Sequence, residues 1–214
     1  MNVIFLGSPG SGKGTQSSLL KERLGVVAIS SGQMLREAAR SQTDLGKKAE
    51  SYISVGRLVP DNMMIKIMQE RLNREDCKKG FILDGFPRTL NQASALSVFL
   101  SSQKKKVDAV VNFVVDQNEI LNRLGGRREC EKCGKEYHVL FLPPKESGVC
   151  DKCGGSLIQR DDDKETTIAR RLKIYEEQTK PLIDFYKNEG VLKDINALGG
   201  KEEVFSRIKG SLGN

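Results

Sequence analysis

A chain of 214 residues with 38% hydrophobic and 29% charged content can bury a sizeable core in one or two domains, which excludes a disordered or fibrous protein. No apolar run approaches the roughly 18 residues of a membrane span, and the formal net charge of +7 suits an anionic partner, phosphorylated nucleotide or nucleic acid. Residues 1–6 are apolar but carry no leading basic residue and run straight into a glycine-rich turn, so no signal peptide is expected, and the default location is cytoplasmic. Five cysteines, an odd number with four clustered, point to a metal in a reducing compartment before disulfides.

The first element is the run Val3-Ile4-Phe5-Leu6, which predicts a buried strand. It leads into Gly7-Ser8-Pro9-Gly10-Ser11-Gly12-Lys13-Gly14-Thr15, followed by an amphipathic helix to Leu24. Glycines there let backbone N–H groups converge on an anion, the helix N-terminus adds partial positive charge, and Lys13 can reach the terminal phosphates. Gly7, Gly12 and Lys13 meet the Gly-x-x-x-x-Gly-Lys pattern, but Gly14 displaces the expected hydroxyl to Thr15. The stretch reads as a phosphate-binding loop.

Further apolar runs at 26–29, 81–83, 109–115 and 191–195 alternate with helical patterns, which predicts an α/β protein with a five-stranded parallel sheet covered by helices on both faces. Ser30 or Ser31 can cap a helix reaching about Ser41, a second pattern covers 45–55 with Gly56 as its stop, and Pro60-Asp61 opens a third. Its Met63, Met64 and Met68 read as core filler. Asp84, at the C-terminal end of the strand ending Phe81-Ile82-Leu83, stands where a carboxylate can hold the water shell of a Mg²⁺ ion beside the phosphate loop. Gly85-Phe86-Pro87 then sets a turn from which Arg88 emerges as a bidentate phosphate binder. Lys104-Lys105-Lys106 reads as a solvated helix end.

Cys130-x-x-Cys133 and Cys150-x-x-Cys153 have the C-x₂-C…C-x₂-C spacing of a four-thiolate zinc site, structural because four sulfurs leave no open position; a similar soft metal or disulfides are the alternatives. Phe141, Pro143 and Pro144 are the only visible core of this insert, Cys77 reads as a bystander, and the single histidine, His138, as a packing residue. Beyond it a long helix from Thr166 should kink or break at Pro181, and a closing helix spans 202–212.

Gly7 to Thr15, Asp84-Gly85-Phe86-Pro87-Arg88, Gly126-Arg127-Arg128 and Arg160-Asp161-Asp162-Asp163 together resemble adenylate kinase, a nucleoside monophosphate kinase family, in its long-lid form. The resemblance covers essentially the whole chain. It implies a P-loop core at 1–29, 60–126 and 165–214, an AMP-binding insertion at 30–59, and a zinc-bearing lid at 127–164. It also implies that Gly10, Ser11, Gly12, Lys13, Gly14 and Thr15 cradle the ATP phosphates, with Glu136, Tyr137 and Gly199 near the ATP ribose and adenine. Ser31, Arg36, Arg57, Val59, Gly85, Arg88 and Gln92 fall where the family contacts AMP, Gln92 on the adenine edge; Arg123, Arg127, Arg160 and Arg171 match arginines that close over ATP and the phosphoryl in flight. Ser31 and Gln33 depart from the family's usual Thr and Asp. The implied partners are ATP, AMP, ADP and Mg²⁺, with a monomer that binds neither nucleic acid nor membrane. A kinase preferring UMP or CMP is the nearest alternative, and a zinc-ribbon nucleic-acid-binding protein a more distant one.

Overall fold

The computed structural model describes residues 1–41 and 43–213, with Leu45 described by its backbone alone. Five strands, β1 (Asn2–Leu6), β2 (Val27–Ser30), β3 (Phe81–Asp84), β4 (Ala109–Val114) and β8 (Leu192–Asn196), form one sheet in the order β2-β3-β1-β4-β8, all neighbours parallel. The expected five-stranded parallel sheet is present, with boundaries shifted by one residue or so. Alternation along β1 sends its side chains to two cores. Ile4 and Leu6 pack with Met64 and Met68 of α4 (Asp61–Leu72), Leu96 and Leu100 of α5 (Leu90–Ser102), and Leu182 of α8 (Pro181–Asn188). Val3 and Phe5 pack with Leu19 and Leu20 of α1 (Lys13–Leu24) and with Val204, Phe205 and Ile208 of α9 (Lys201–Ser211). Each fully buried side chain of this kind contributes roughly 1.5–3 kcal/mol, so both sheet faces are sealed and every strand's C-terminal end is left to the connecting loops.

Between β2 and β3 two short helices, α2 (Ser31–Arg40) and α3 (Asp44–Ile53), precede α4. Ser30 caps α2, its side chain accepting from Gln33 N, and Gly56 (φ 72°) ends the α3 region as expected. The helical pattern expected from residue 45 begins at Asp44; the Leu45 side chain lies outside the description. After α6 (Gln117–Gly125) comes a second, antiparallel sheet of β5 (Arg127–Cys130), β6 (Glu136–His138) and β7 (Leu157–Ile158), in the order β6-β5-β7. At the junction the backbone of Gly126 lies against the His138 ring: a Cβ there would stand 2.3 Å from Cε1. His138 Nδ1 accepts from Leu140 N and Phe141 N, and burial holds the imidazole below its ordinary pKa, which suits the packing role expected of it.

One local expectation changes. Phe141 is 61% exposed and only leans on His138, so the small sheet's interior is made of Cys130, Tyr137 and Cys150 with Cys133 and Leu157 beside them. Thiols and the Tyr137 ring fill that interior, while Leu140, Phe141 and Leu142 stay exposed. The kink or break expected at Pro181 takes a specific form: α7 (Glu165–Ile174) passes into a π-helical turn, Tyr175–Thr179, where Lys180 N bonds Tyr175 O at 2.8 Å, and Pro181 is the first residue of a separate helix, α8. The widened turn absorbs the missing donor and the ring. No helix among the described residues is long and apolar enough to cross a membrane.

Candidate functional site

The glycine-rich loop joins β1 to α1 at the C-terminal edge of the sheet. Gly10 (φ 80°) and Gly12 (φ 95°) take left-handed conformations that a side chain would strain, and Gly12 supplies no side-chain cap to α1. The first-turn N–H groups of α1 are therefore left for an anion. Lys13 Nζ folds back to donate to Gly7 O and Ser8 O, both at 2.7 Å, and to Ser11 Oγ at 3.2 Å. Burial pulls its ammonium down to about 8, against the opposing pull of Asp84, with Arg88, Arg171 and Arg127 adding to the depression. Phosphate oxygens would reverse that shift. Nucleotide binding at pH 8.5 is therefore expected to take up part of a proton, a quantity read by titration calorimetry in buffers of differing ionisation enthalpy. Uptake that persists unchanged in Lys13→Met would assign it to another group.

Asp84 sits where expected, in register with Phe5 of β1 and Ser30 of β2. A Cβ on Gly14 would stand 3.6 Å from Asp84 Oδ2 and 3.8 Å from Glu136 Oε2, so both carboxylates reach the start of α1. Burial raises the Asp84 pKa while Lys13 and Arg88 pull it down, and among the described residues its carboxylate makes no direct hydrogen bond or ion pair. A desolvated carboxylate without a partner, beside a phosphate loop, fits a hydrated divalent cation. Arg123, from α6, spans the loop and the 197 region, donating to Ser11 O at 3.4 Å and Ala197 O at 3.1 Å.

The remaining arginines converge on this edge. Arg127 Nε donates to Asp163 Oδ2 at 2.7 Å, Arg160 Nε to Asp162 Oδ1 at 2.9 Å, and Arg171 Nη1 to Asp163 Oδ1 at 2.9 Å. Burial alone would raise the Asp162 carboxyl, but the guanidiniums of Arg171, Arg160 and Arg127 outweigh it and hold it at about 2. The acidic run is thus a scaffold that fixes three guanidiniums before any phosphate arrives. Among the described residues Arg88 has no direct carboxylate partner; its Nε donates to Gly85 O at 2.8 Å, and burial depresses its pKa against the opposing pull of Asp84 and Asp162. Ser31 Oγ donates to the same carbonyl at 2.6 Å. Ser31, Arg36, Arg57, Val59, Gly85, Arg88, Gln92 and Arg171 line one cleft, with Leu35, Ile53 and Met64 as its apolar wall. Every residue expected to contact AMP is in that lining; of Arg160 and Arg171, which the resemblance also places toward AMP, only Arg171 is. The Tyr137 side chain instead points into the small sheet, and Gly199 (φ 103°) lies by Glu203 and Arg207, across the Ala197 loop from Arg123.

The four cysteine sulfurs all lie within 4.8 Å of one another. Cys130–Cys153 and Cys133–Cys150 approach at 3.5 and 3.6 Å, far beyond the roughly 2.05 Å of a disulfide bond and close to the edge of a tetrahedron with metal–sulfur bonds of about 2.3 Å. The two knuckles fold alike, Gly134 N bonding Cys130 O at 2.9 Å and Gly154 N bonding Cys150 O at 2.8 Å. Although burial opposes it, the Tyr137 hydroxyl and the N–H groups of Lys152 and Cys153 pull the Cys150 thiol down, while contacts with the other thiols push Cys153 up. Cys77 is buried elsewhere, with Arg71 Nη1 3.0 Å from its sulfur.

Some participants were not foreseen. Glu129, 3% exposed, pairs with Arg40, with Arg36 at 3.6 Å and with Arg160 at 3.4 Å, tying α2 to β5. Asp61 binds Gln92, Thr89 and Asn91. Nothing local in the sequence marks either residue, since their partners lie about 30 to 90 residues away.

A sequence profile described as Adenylate kinase matches residues 5–191. The chain belongs to the adenylate kinase family. It is 52% identical over 212 residues to "Adenylate kinase" of Archaeoglobus fulgidus, covering 99% of this chain and 98% of that protein. It is 54% identical over 204 residues to the protein of that name from Geobacter sp., with 95% of each covered. The protein from Syntrophobacter fumaroxidans is 50% identical over 213 residues, all of both chains. In this member of the adenylate kinase family, Gly14 follows the loop lysine and lies within van der Waals reach of the Asp84 and Glu136 carboxylates.

Proposed function

We propose that the chain catalyses reversible transfer of the terminal phosphoryl group from MgATP to AMP, giving two ADP. The observation that carries the reading is the convergence, at one sheet edge, of the phosphate loop, an unpartnered Asp84 and five arginines, next to a half-apolar cleft ending in Gln92. An acceptor phosphate is already anionic at neutral pH, so the reaction needs charge neutralisation and exclusion of water rather than a general base. In this reading Gly10, Ser11, Gly12, Lys13, Gly14 and Thr15 hold the ATP phosphates, with Arg123, Arg127, Glu136, Tyr137 and Gly199 on the rest of ATP. Ser31, Arg36, Arg57, Val59, Gly85, Arg88 and Gln92 hold AMP. Arg160 and Arg171 stand between the two. Asp84 would hold the water shell of Mg²⁺, whose contribution when bound is neutralisation of phosphate charge. The four cysteines would hold a structural Zn²⁺.

The same reading divides the chain into a core (1–29, 60–126, 165–214), an AMP-binding insertion (30–59) and a lid (127–164), in a cytoplasmic monomer without nucleic-acid or membrane partners. The test is incubation of purified protein with MgATP and AMP, UMP or CMP in turn. ADP is expected from AMP. No product from AMP, together with phosphorylation of UMP or CMP, would show that the acceptor is a different nucleotide.

A further inference from the structure

Gln92 is 2% exposed, yet its carboxamide faces the cleft. Both ends of that amide are already engaged. Its Oε1 accepts from Arg88 N at 2.8 Å, and its Nε2 donates to Asp61 Oδ1 at 2.8 Å. A backbone N–H can only donate and an ionised carboxylate can only accept, so chemistry assigns which amide atom is oxygen and which is nitrogen. Flipping the amide would set its NH₂ against the Arg88 N–H and its oxygen against the Asp61 carboxylate. Two buried hydrogen bonds would become two repulsive contacts. Asp61 is itself held, its Oδ2 accepting from Thr89 Oγ1 at 2.9 Å and Asn91 Nδ2 at 3.0 Å.

We propose that Asp61 sets the base selectivity of the acceptor site, by locking the Gln92 carboxamide in one of its two orientations. The inference rests on reading this cleft as the acceptor-nucleotide site. The locked amide has one N–H and one oxygen lone pair to spare. Adenine offers the complementary pair, the N1 acceptor beside the N6–H donor, and cytosine offers the same pair at N3 and N4. Hypoxanthine, guanine and uracil carry the reverse, an N–H beside a carbonyl, and only the flipped amide could satisfy them. The neighbouring Leu35, Val59 and Met64 side chains have no polar group to substitute. Asp61 thus acts through Gln92 as a positioning residue, and cleft shape is left to separate adenine from cytosine.

The experiment compares kcat/KM for AMP and IMP, which share size but present opposite pairs. The parent protein should prefer AMP. In Asp61→Asn the new amide can donate as well as accept, so of the two contacts that fix Gln92 only the Arg88 N–H still opposes the flip. The IMP-to-AMP ratio of kcat/KM should rise about tenfold, the factor carried by one hydrogen bond's preference. A role confined to helix α4 would lower both values together. An unchanged ratio in an active variant, or a parent without preference, overturns the proposal. Should the thermal melt show that Asp61→Asn does not fold, Asp61→Ala, which also removes the obligate acceptor, reads the same ratio. A parent inactive on AMP would overturn the acceptor-site reading itself, a result distinct from an unchanged ratio.

Discussion

Lys13→Met should lower kcat by roughly 10³-fold or more while the melting temperature stays close to that of the parent. Lys13 spends its three hydrogen bonds on its own loop, on Gly7 O, Ser8 O and Ser11 Oγ, and none on a distant element. Its charge is costly where it sits, as the depression to about 8 by burial shows, so methionine removes a desolvated ammonium and keeps much of the packing volume. On the proposed reading, what methionine cannot supply is the lysine's positive charge on the phosphoryl group in flight. Arg88, Arg127 and Arg171 are anchored by their own partners. A steady-state assay with MgATP and AMP, alongside a thermal melt, checks both halves. A variant retaining more than about a tenth of the parent rate would remove Lys13 from the transferred group.

Metal removal should have the second large effect, and it should be local. Elemental analysis of protein purified under reducing conditions is expected to find about one zinc per chain, and Cys130→Ser is expected to abolish it. The apolar interior of the small sheet is little more than its own thiols, Tyr137 and Leu157. Metal binding on the order of 10 kcal/mol would therefore supply most of its stability, and without it segment 127–164 should lose hydrogen-exchange protection while the five-stranded sheet keeps its own. Turnover should fall by about 10²-fold or more, because Arg127 begins β5 and Arg160 follows β7, so both guanidiniums depend on that sheet for position. Metal-free protein with four free thiols and full activity would refute the structural zinc site.

Much of this molecule could be read before any coordinates. The strands at 3–6 and 81–83 are short apolar runs bounded by glycine, and their two-residue alternation already assigns Val3 and Phe5 to one face and Ile4 to the other. The phosphate loop declares itself because its function needs a contiguous backbone shape. The two Cys-x-x-Cys pairs do so because each knuckle closes on itself within four residues. Where local reading failed, a distant contact or the lack of one was responsible. Phe141 looked like core but found nothing to cover it, and the π-helical turn ahead of Pro181 could not be read from the proline alone.

The sequence by itself determined the elements whose physics is local: strand and helix periods, the glycine-lined anion loop, and the thiolate spacing. Tertiary structure alone decided how the charged and polar side chains pair. Glu129 meets Arg40 across 89 residues, Gln92 meets Asp61 across 31, and Asp163 gathers Arg127 across 36. With 35 basic and 28 acidic side chains the possible pairings are too many for composition to choose among. The parallel order of the sheet brings the loops together at one edge, and burial there makes each unpaired charge costly enough that only a few pairings survive.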